Sequence, residues 1–205
     1  MRRRYTDAYA DLLRMERPVI ETREAAVRLG LSISAASHLL RRLDGSGLVR
    51  HLRRGLWVLD ADIEPFALPP YLTAPFPAYV SLWSALAQHG MIEQIPRQVY
   101  VASLHRTQKI STSLGDFSVH HLAPELFDGY RQTDGGGQLA TPEKALFDTI
   151  YLRTPRGGRI HLPELELPEG FAEAQLQSWT ARIVDPRIRT LVGKGLGSAL
   201  AAALR

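Results

Sequence analysis

The stretch from Thr22 to Leu59, TREAAVRLGLSISAASHLLRRLDGSGLVRHLRRGLWVL, constrains the fold more than any other part of the chain. Thr22 is expected to cap a short helix, because a threonine hydroxyl accepts an orphan N–H of the first turn, and Gly30 to end it, because glycine takes positive φ without a Cβ penalty. Ser32 then caps a second helix. Its apolar stripe is Ala36, Leu39, Leu40 and Leu43, and the Gly-Ser-Gly at 45–47 stops it. Leu48 to Leu52 and Leu56 to Leu59 read as two short strands joined by a tight Arg53-Arg54-Gly55 turn. Helix, glycine turn, helix and basic hairpin, in that order, predict a winged helix-turn-helix.

The second helix carries Ser34, Ala35, Ser37, His38, Arg41 and Arg42 away from its apolar stripe. Small polar side chains let a helix approach base edges in the major groove of double-stranded DNA, while arginines on the helix and the hairpin reach phosphates. The candidate DNA-binding residues are therefore Ser32, Ser34, Ala35, Ser37, His38, Arg41, Arg42, Arg53 and Arg54. The competing reading is an ordinary small core with a solvated basic face. Charge distribution bears on the choice: residues 1–59 hold twelve arginines against six acids, a net +6, whereas residues 60–205 hold thirteen basic against fifteen acidic residues, a net −2. A positive field confined to one part of a chain suits a polyanionic partner.

Other chemistry has little support. The chain has no cysteine, which removes disulfides, thiolate nucleophiles and cysteine zinc sites. His120 and His121 are neighbours, and adjacent residues of a strand face opposite ways, so they do not converge on one ion. The glycines at 135–137 lack the G-K-[ST] ending of a phosphate loop and read as a hairpin tip. Glu143, Lys144 and Asp148 can be drawn as an acid/base cluster, but an intrahelical ion pair explains the Lys144/Asp148 spacing equally well. No G-x-S-x-G elbow is present. The expectation is a protein that is not an enzyme and holds no cofactor or metal. Without an eighteen-residue apolar run or a secretory h-region behind MRRRYTDAYADLL, the reading is cytoplasmic with no membrane partner.

Along the chain, Arg2, Arg3 and Arg4 precede a helix whose Tyr5, Tyr9, Leu12, Leu13 and Met15 can face inward, and Val19 and Ile20 form an extended connection after Pro18. Five prolines between Asp60 and Pro77 mark a boundary and predict an extended, semi-rigid link. A second domain opens with Ser81 capping a helix that ends at Gly90. Strands follow around Val99–Ser103 and over KISTSLGDFSVHHL with a turn at Gly115-Asp116; GYRQTDGGGQL reads as a loop. Thr141 caps a helix with Pro142 at its first position. Beyond Tyr151 the reading is an irregular connection with one short strand, then a helix over about 170–178 and a last one from Asp185 or Pro186.

Three blocks, namely the helix–hairpin stretch, FPAYVSLWSALAQHGMIEQIPRQVYVAS and LATPEKALFDTIYL, together resemble the AbiEi-type antitoxins, transcriptional regulators of type IV toxin–antitoxin systems. The resemblance covers most of residues 20–152. It implies a repressor of its own operon that binds inverted repeats through its N-terminal domain, with a C-terminal domain opposing a nucleotidyltransferase-like toxin. It maps the DNA-reading helix onto Ser32 to Leu43 and the wing onto Arg53, Arg54 and Gly55. It also sets Ser81, Ser84, His89, Gly90, Thr141, Pro142, Glu143, Lys144 and Asp148 at motif positions, whose residue types read as caps, a helix stop and a dipole partner.

The resulting expectation is an α+β protein: a winged helix-turn-helix over 1–60, a proline-rich linker over 61–73 and a mixed α/β antitoxin-like domain over 74–205. A homodimer on an operator with inverted repeats is expected, since specific binding uses half-sites about 34 Å apart. The alternative is a winged-helix regulator without a toxin, whose second domain binds a small effector near Trp83 and Tyr79.

Overall fold

The computed structural model describes residues 5–153 and 165–203. The protein is α+β, with two sheets and eight α-helices among the described residues, and its chain divides into two compact units. One unit comprises the chain up to Glu64 together with Ser111–Gly115; the other comprises Pro65–Ile110 and the chain from Asp116 onward. No described helix is long and apolar enough to cross a membrane.

The first unit holds α1 (Tyr5–Leu13), β1 (Val19–Glu21), α2 (Thr22–Leu29), α3 (Ile33–Gly45), β2 (Arg50–Arg53) and β3 (Leu56–Val58). Gly30 takes φ +64° at the C-terminus of α2, and Ser32 Oγ accepts the Ala35 N–H at 3.2 Å to start α3. Thr22 is not a cap. It is the first helical residue of α2, behind Glu21, which forms a capping box with Glu24 in which the Glu21 N–H donates to Glu24 Oε2 at 2.7 Å. Ala36, Leu40 and Leu43 are buried on α3, with Leu39 half-buried. From α1, Ala8 and Leu12 enter the core; Tyr5 and Leu13 are exposed, because the helix meets its neighbours along a narrower stripe than its apolar content suggests. Residues 2–4 lie outside the described residues. Val19 and Ile20 are more than a connection: β1 pairs antiparallel with β3, giving a three-stranded sheet of order β1-β3-β2.

In the second unit the extended link expected for 61–73 gives way, from Pro65, to a 3₁₀ turn (Pro65–Ala67) and a short helix α4 (Pro69–Thr73) with Leu68, Pro69, Leu72 and Thr73 buried. Prolines at 69 and 70 do not oppose this, because the first positions of a helix need no N–H. Then come β4 (Ala78–Val80), α5 (Leu82–Gln88), β5 (Val99–Ser103), β6 (Gln108–Thr112), β7 (Gly115–His121), β8 (Tyr130–Gln132), β9 (Gln138–Ala140), α6 (Pro142–Arg153), α7 (Glu173–Arg182) and α8 (Pro186–Ala203). The β6–β7 turn sits at Ser113-Leu114, two residues before the expected Gly115-Asp116. The segment read as a loop is a hairpin, β8 antiparallel to β9, with the glycines 135–137 at its tip. The six strands run in the order β6-β7-β5-β4-β9-β8, with β4 parallel to β9 and β5 parallel to β7. Helix α6 packs against α5, α7 and α8 and is buried without a break from Lys144 to Ile150, as a helix enclosed by neighbours must be. Residues 154–164, the first part of the irregular connection, lie outside the described residues.

Candidate functional site

In the first unit, α3 and the β2–β3 hairpin border one open groove of about 990 Å³. Arg23 of α2, Ser37 and Arg41 of α3, and His51, Arg54 and Trp57 of the hairpin line it, with Glu21 and Asp44 contributing carboxylates. The groove has fixed walls. The Thr22 N–H donates to Gly55 O at 2.9 Å, and Trp57 Nε1 donates to Thr22 Oγ1 at 2.9 Å, so the hairpin turn is fastened to the first turn of α2. The His51 N–H donates to Asp44 Oδ1 at 2.9 Å, fastening the other strand of the hairpin to the end of α3, and the His51 ring lies against Trp57 with centroids 4.7 Å apart. Gly55 takes φ +82° at the turn, where any Cβ would be strained.

The residues expected to act together are only partly brought together. Ser37, Arg41 and Arg54 share the groove; Ser34, His38, Arg41, Arg42 and Arg54 are exposed, and Ala35, Ser37 and Arg53 half-buried. The Ser32 hydroxyl is used as the α3 cap. Arg42 turns toward α1, donating to Tyr5 Oη with its guanidinium 5.5 Å from the centre of that ring. Among the lining residues not singled out from the sequence are Arg23 and His51, with Glu21, Asp44 and Trp57. Arg23 sits one residue past the start of α2, and no spacing rule links it to the hairpin; the Thr22–Gly55 contact does. The groove thus presents three arginines, two carboxylates and a serine hydroxyl on a concave surface, a net positive lining that suits an anion with polar edges.

No protein-family model and no curated protein matches this chain.

Among its described residues the second unit carries one buried pair of opposite charges. Lys144 and Asp148, one turn apart on α6, are both 0% exposed and form an ion pair, Nζ to Oδ1 at 2.7 Å. Asp148 Oδ2 accepts from Tyr79 Oη at 2.9 Å and from Ser81 Oγ at 2.7 Å, and Lys144 Nζ donates to Leu126 O at 2.7 Å. Nζ also lies 4.8 Å from the Phe147 ring centre and 5.1 Å from that of Trp179. Burial, then the Asp148 carboxylate, pushes the Tyr79 phenol well above its ordinary range, so Tyr79 stays a neutral donor. This network ties β4 and the start of α5 to α6. Closed to solvent on every side, it offers no place for a substrate and reads as the intrahelical pair, not the acid/base cluster.

The remaining positions expected to be structural have internal partners. Ser81 precedes α5 but spends its hydroxyl on Asp148 rather than on the helix, and Leu82 follows at φ +52°, in the left-handed region. Ser84 Oγ accepts the Tyr100 N–H at 2.9 Å and donates to Gln98 O at 3.3 Å. His89 Nε2 lies 2.7 Å from Ala140 O, and Gly90 ends its helix at φ +68°. Thr141 Oγ1 accepts the Lys144 N–H at 3.3 Å ahead of Pro142, and Glu143 Oε1 accepts the Ala172 N–H at 2.9 Å. Asp128, which the sequence reading did not single out, is half-exposed: burial works against its charge, yet hydrogen bonds from Arg182 and Trp179 outweigh that and hold its carboxyl below the usual range. His120 is half-buried with its ring 6.0 Å from Tyr100, while His121 is exposed. Among the described residues no group of three or more His, Cys, Asp or Glu converges as metal ligands.

Proposed function

We propose that the first unit is a winged helix-turn-helix and that the protein is a sequence-specific repressor that binds the DNA of its own operon. The observation that carries the reading is the shared groove: Ser37 and Arg41 from α3 and Arg54 from the hairpin turn face one concavity whose walls are fixed by hydrogen bonds. In this reading α3 enters the major groove, where Ser34, Ser37, His38 and Arg41 meet base edges, while Arg23, Arg53 and Arg54 hold phosphates on either side. The net +6 of residues 1–59 supplies the non-specific attraction. Repression follows from occupying the promoter, with two copies on an inverted repeat. Opposition to a nucleotidyltransferase-like toxin is the second part of the proposal; it rests on the resemblance of the second-unit blocks to AbiEi-type antitoxins.

The test is binding to the DNA upstream of the gene against scrambled DNA of equal length, from low to physiological salt. The expected result is an excess for the upstream DNA of about a thousandfold or more. Equal, weak binding to both would reduce the groove to a basic surface. Co-expression with the neighbouring reading frames then tests the toxin: growth arrest that this chain relieves supports the antitoxin role, and no arrest from any neighbour removes it.

A further inference from the structure

Most side chains lining the groove between α3 and the hairpin are charged or hydrogen-bonding; one is aliphatic, Ile33. It stands at the first helical position of α3, directly after the Ser32 cap, and is 56% exposed. Trp57, the other large apolar lining residue, is buried, with its indole N–H spent on Thr22. The first turn of a helix favours an acid or a proline over a β-branched side chain. Helix α2 follows that preference with Glu24, whereas α3 has no acid in its first turn. An acid at that end would repel an approaching phosphate backbone; an isoleucine does not.

Ile33, Ser37 and Arg41 follow one another at intervals of four residues, so their side chains stand in a row along one face of α3. All three line the groove. At a rise of about 1.5 Å per residue the row is about 12 Å long, which spans no more than about four base steps of duplex DNA. Its chemistry changes along its length, from an aliphatic side chain through a hydroxyl to a guanidinium. In the major groove the base edges offer an aliphatic side chain one apolar complement, the C5-methyl of thymine, whereas a guanidinium best matches guanine.

We infer that Ile33 is a specificity-determining residue that packs on the methyl group of a thymine within about four base steps of the base met by Arg41. The inference rests on the reading of the first unit as DNA-binding. The test compares upstream DNA synthesised with thymine and with uracil, which differ only in that methyl. The full chain should bind the uracil form about fourfold more weakly for each methyl contacted, the worth of one buried group of that size. Ile33→Ala puts a better helix former at an exposed site, so the fold is kept. That variant should bind the thymine form more weakly and no longer tell the two forms apart. Single thymine-to-uracil replacements across the protected segment should then place the sensitive position within about four base steps of the one where Arg41→Ala loses its preference. Equal affinity of the parent for both forms would overturn the inference and leave the DNA reading standing. So would a preference for thymine that survives in Ile33→Ala. No preference of the parent for upstream over scrambled DNA would instead overturn the reading of the first unit, and this inference with it.

Discussion

Helices α3 and α6 use charge in opposite ways. On α3 the charged side chains Arg41 and Arg42 lie outside and the inward face is alanine and leucine; on α6 Lys144 and Asp148 are fully enclosed beside Phe147. The difference is one of partners. A charge removed from water must find its complement inside the protein, and on α6 it does, in a pair with further donors and acceptors from Tyr79, Ser81 and Leu126. An exposed arginine such as Arg41 keeps its hydration and remains available to something outside the molecule. Charge on α6 therefore fixes the fold, whereas on α3 Asp44 and Arg42 meet His51 and Tyr5 of the same unit and Arg41 faces the groove.

The sharpest way to break this comparison is to unpair α6. Asp148→Ala leaves Lys144 charged and alone in the core, and should lower stability to urea unfolding by about 3–5 kcal/mol. The double variant Lys144→Met/Asp148→Leu should recover much of that loss; equal losses would mean that packing, not pairing, is what α6 requires. The same network predicts an alkaline weakness. Tyr79 has its folded pKa raised, so above about pH 10 the unfolded chain releases a proton that the folded chain retains, and stability falls as pH rises. Below that range its contribution is complete. Tyr151 is shifted the same way, by burial first and then by acidic neighbours, so Tyr79→Phe should flatten part of the fall and not all of it. An unchanged alkaline profile in Tyr79→Phe would remove that phenol from the account.

On α3 the expected effects are smaller. Ser32→Ala removes the cap and should cost about 1 kcal/mol in the unfolding of the first unit. Smaller still for the fold is Arg54→Ala, expected within about 0.5 kcal/mol of the parent in stability. Its effect belongs to binding: the slope of log affinity against log salt should decrease by about 0.9 if Arg54 holds one phosphate. Arg41→Ala should weaken upstream DNA more than scrambled DNA, by about 1–3 kcal/mol for a bidentate base contact. An equal loss on both would assign Arg41 to the backbone and leave base reading to the serines and His38.

Sequence by itself determined the features that depend on neighbours within a turn or two. The Gly30 stop, the Ser32 and Thr141 caps, Pro142 at the head of α6, the basic hairpin and the exposure of the α3 polar face follow from local backbone preference and from apolar spacing, and each was legible. Other features depended on residues far apart in the chain. The pairing of β1 with β3 places Arg23 beside the hairpin, and the order β6-β7-β5-β4-β9-β8 encloses the hydroxyls that meet Asp148. Thr22 looked like a cap and became the anchor of the hairpin, because Gly55 and Trp57 offered its backbone and hydroxyl partners that no local rule contains. Lys144 and Asp148 have the spacing of any surface ion pair. Only the packing of α5, α7 and α8 around α6 decided that this pair lies in the core, since the cost of desolvating a charge is set by what surrounds it in space, not by its position along the chain.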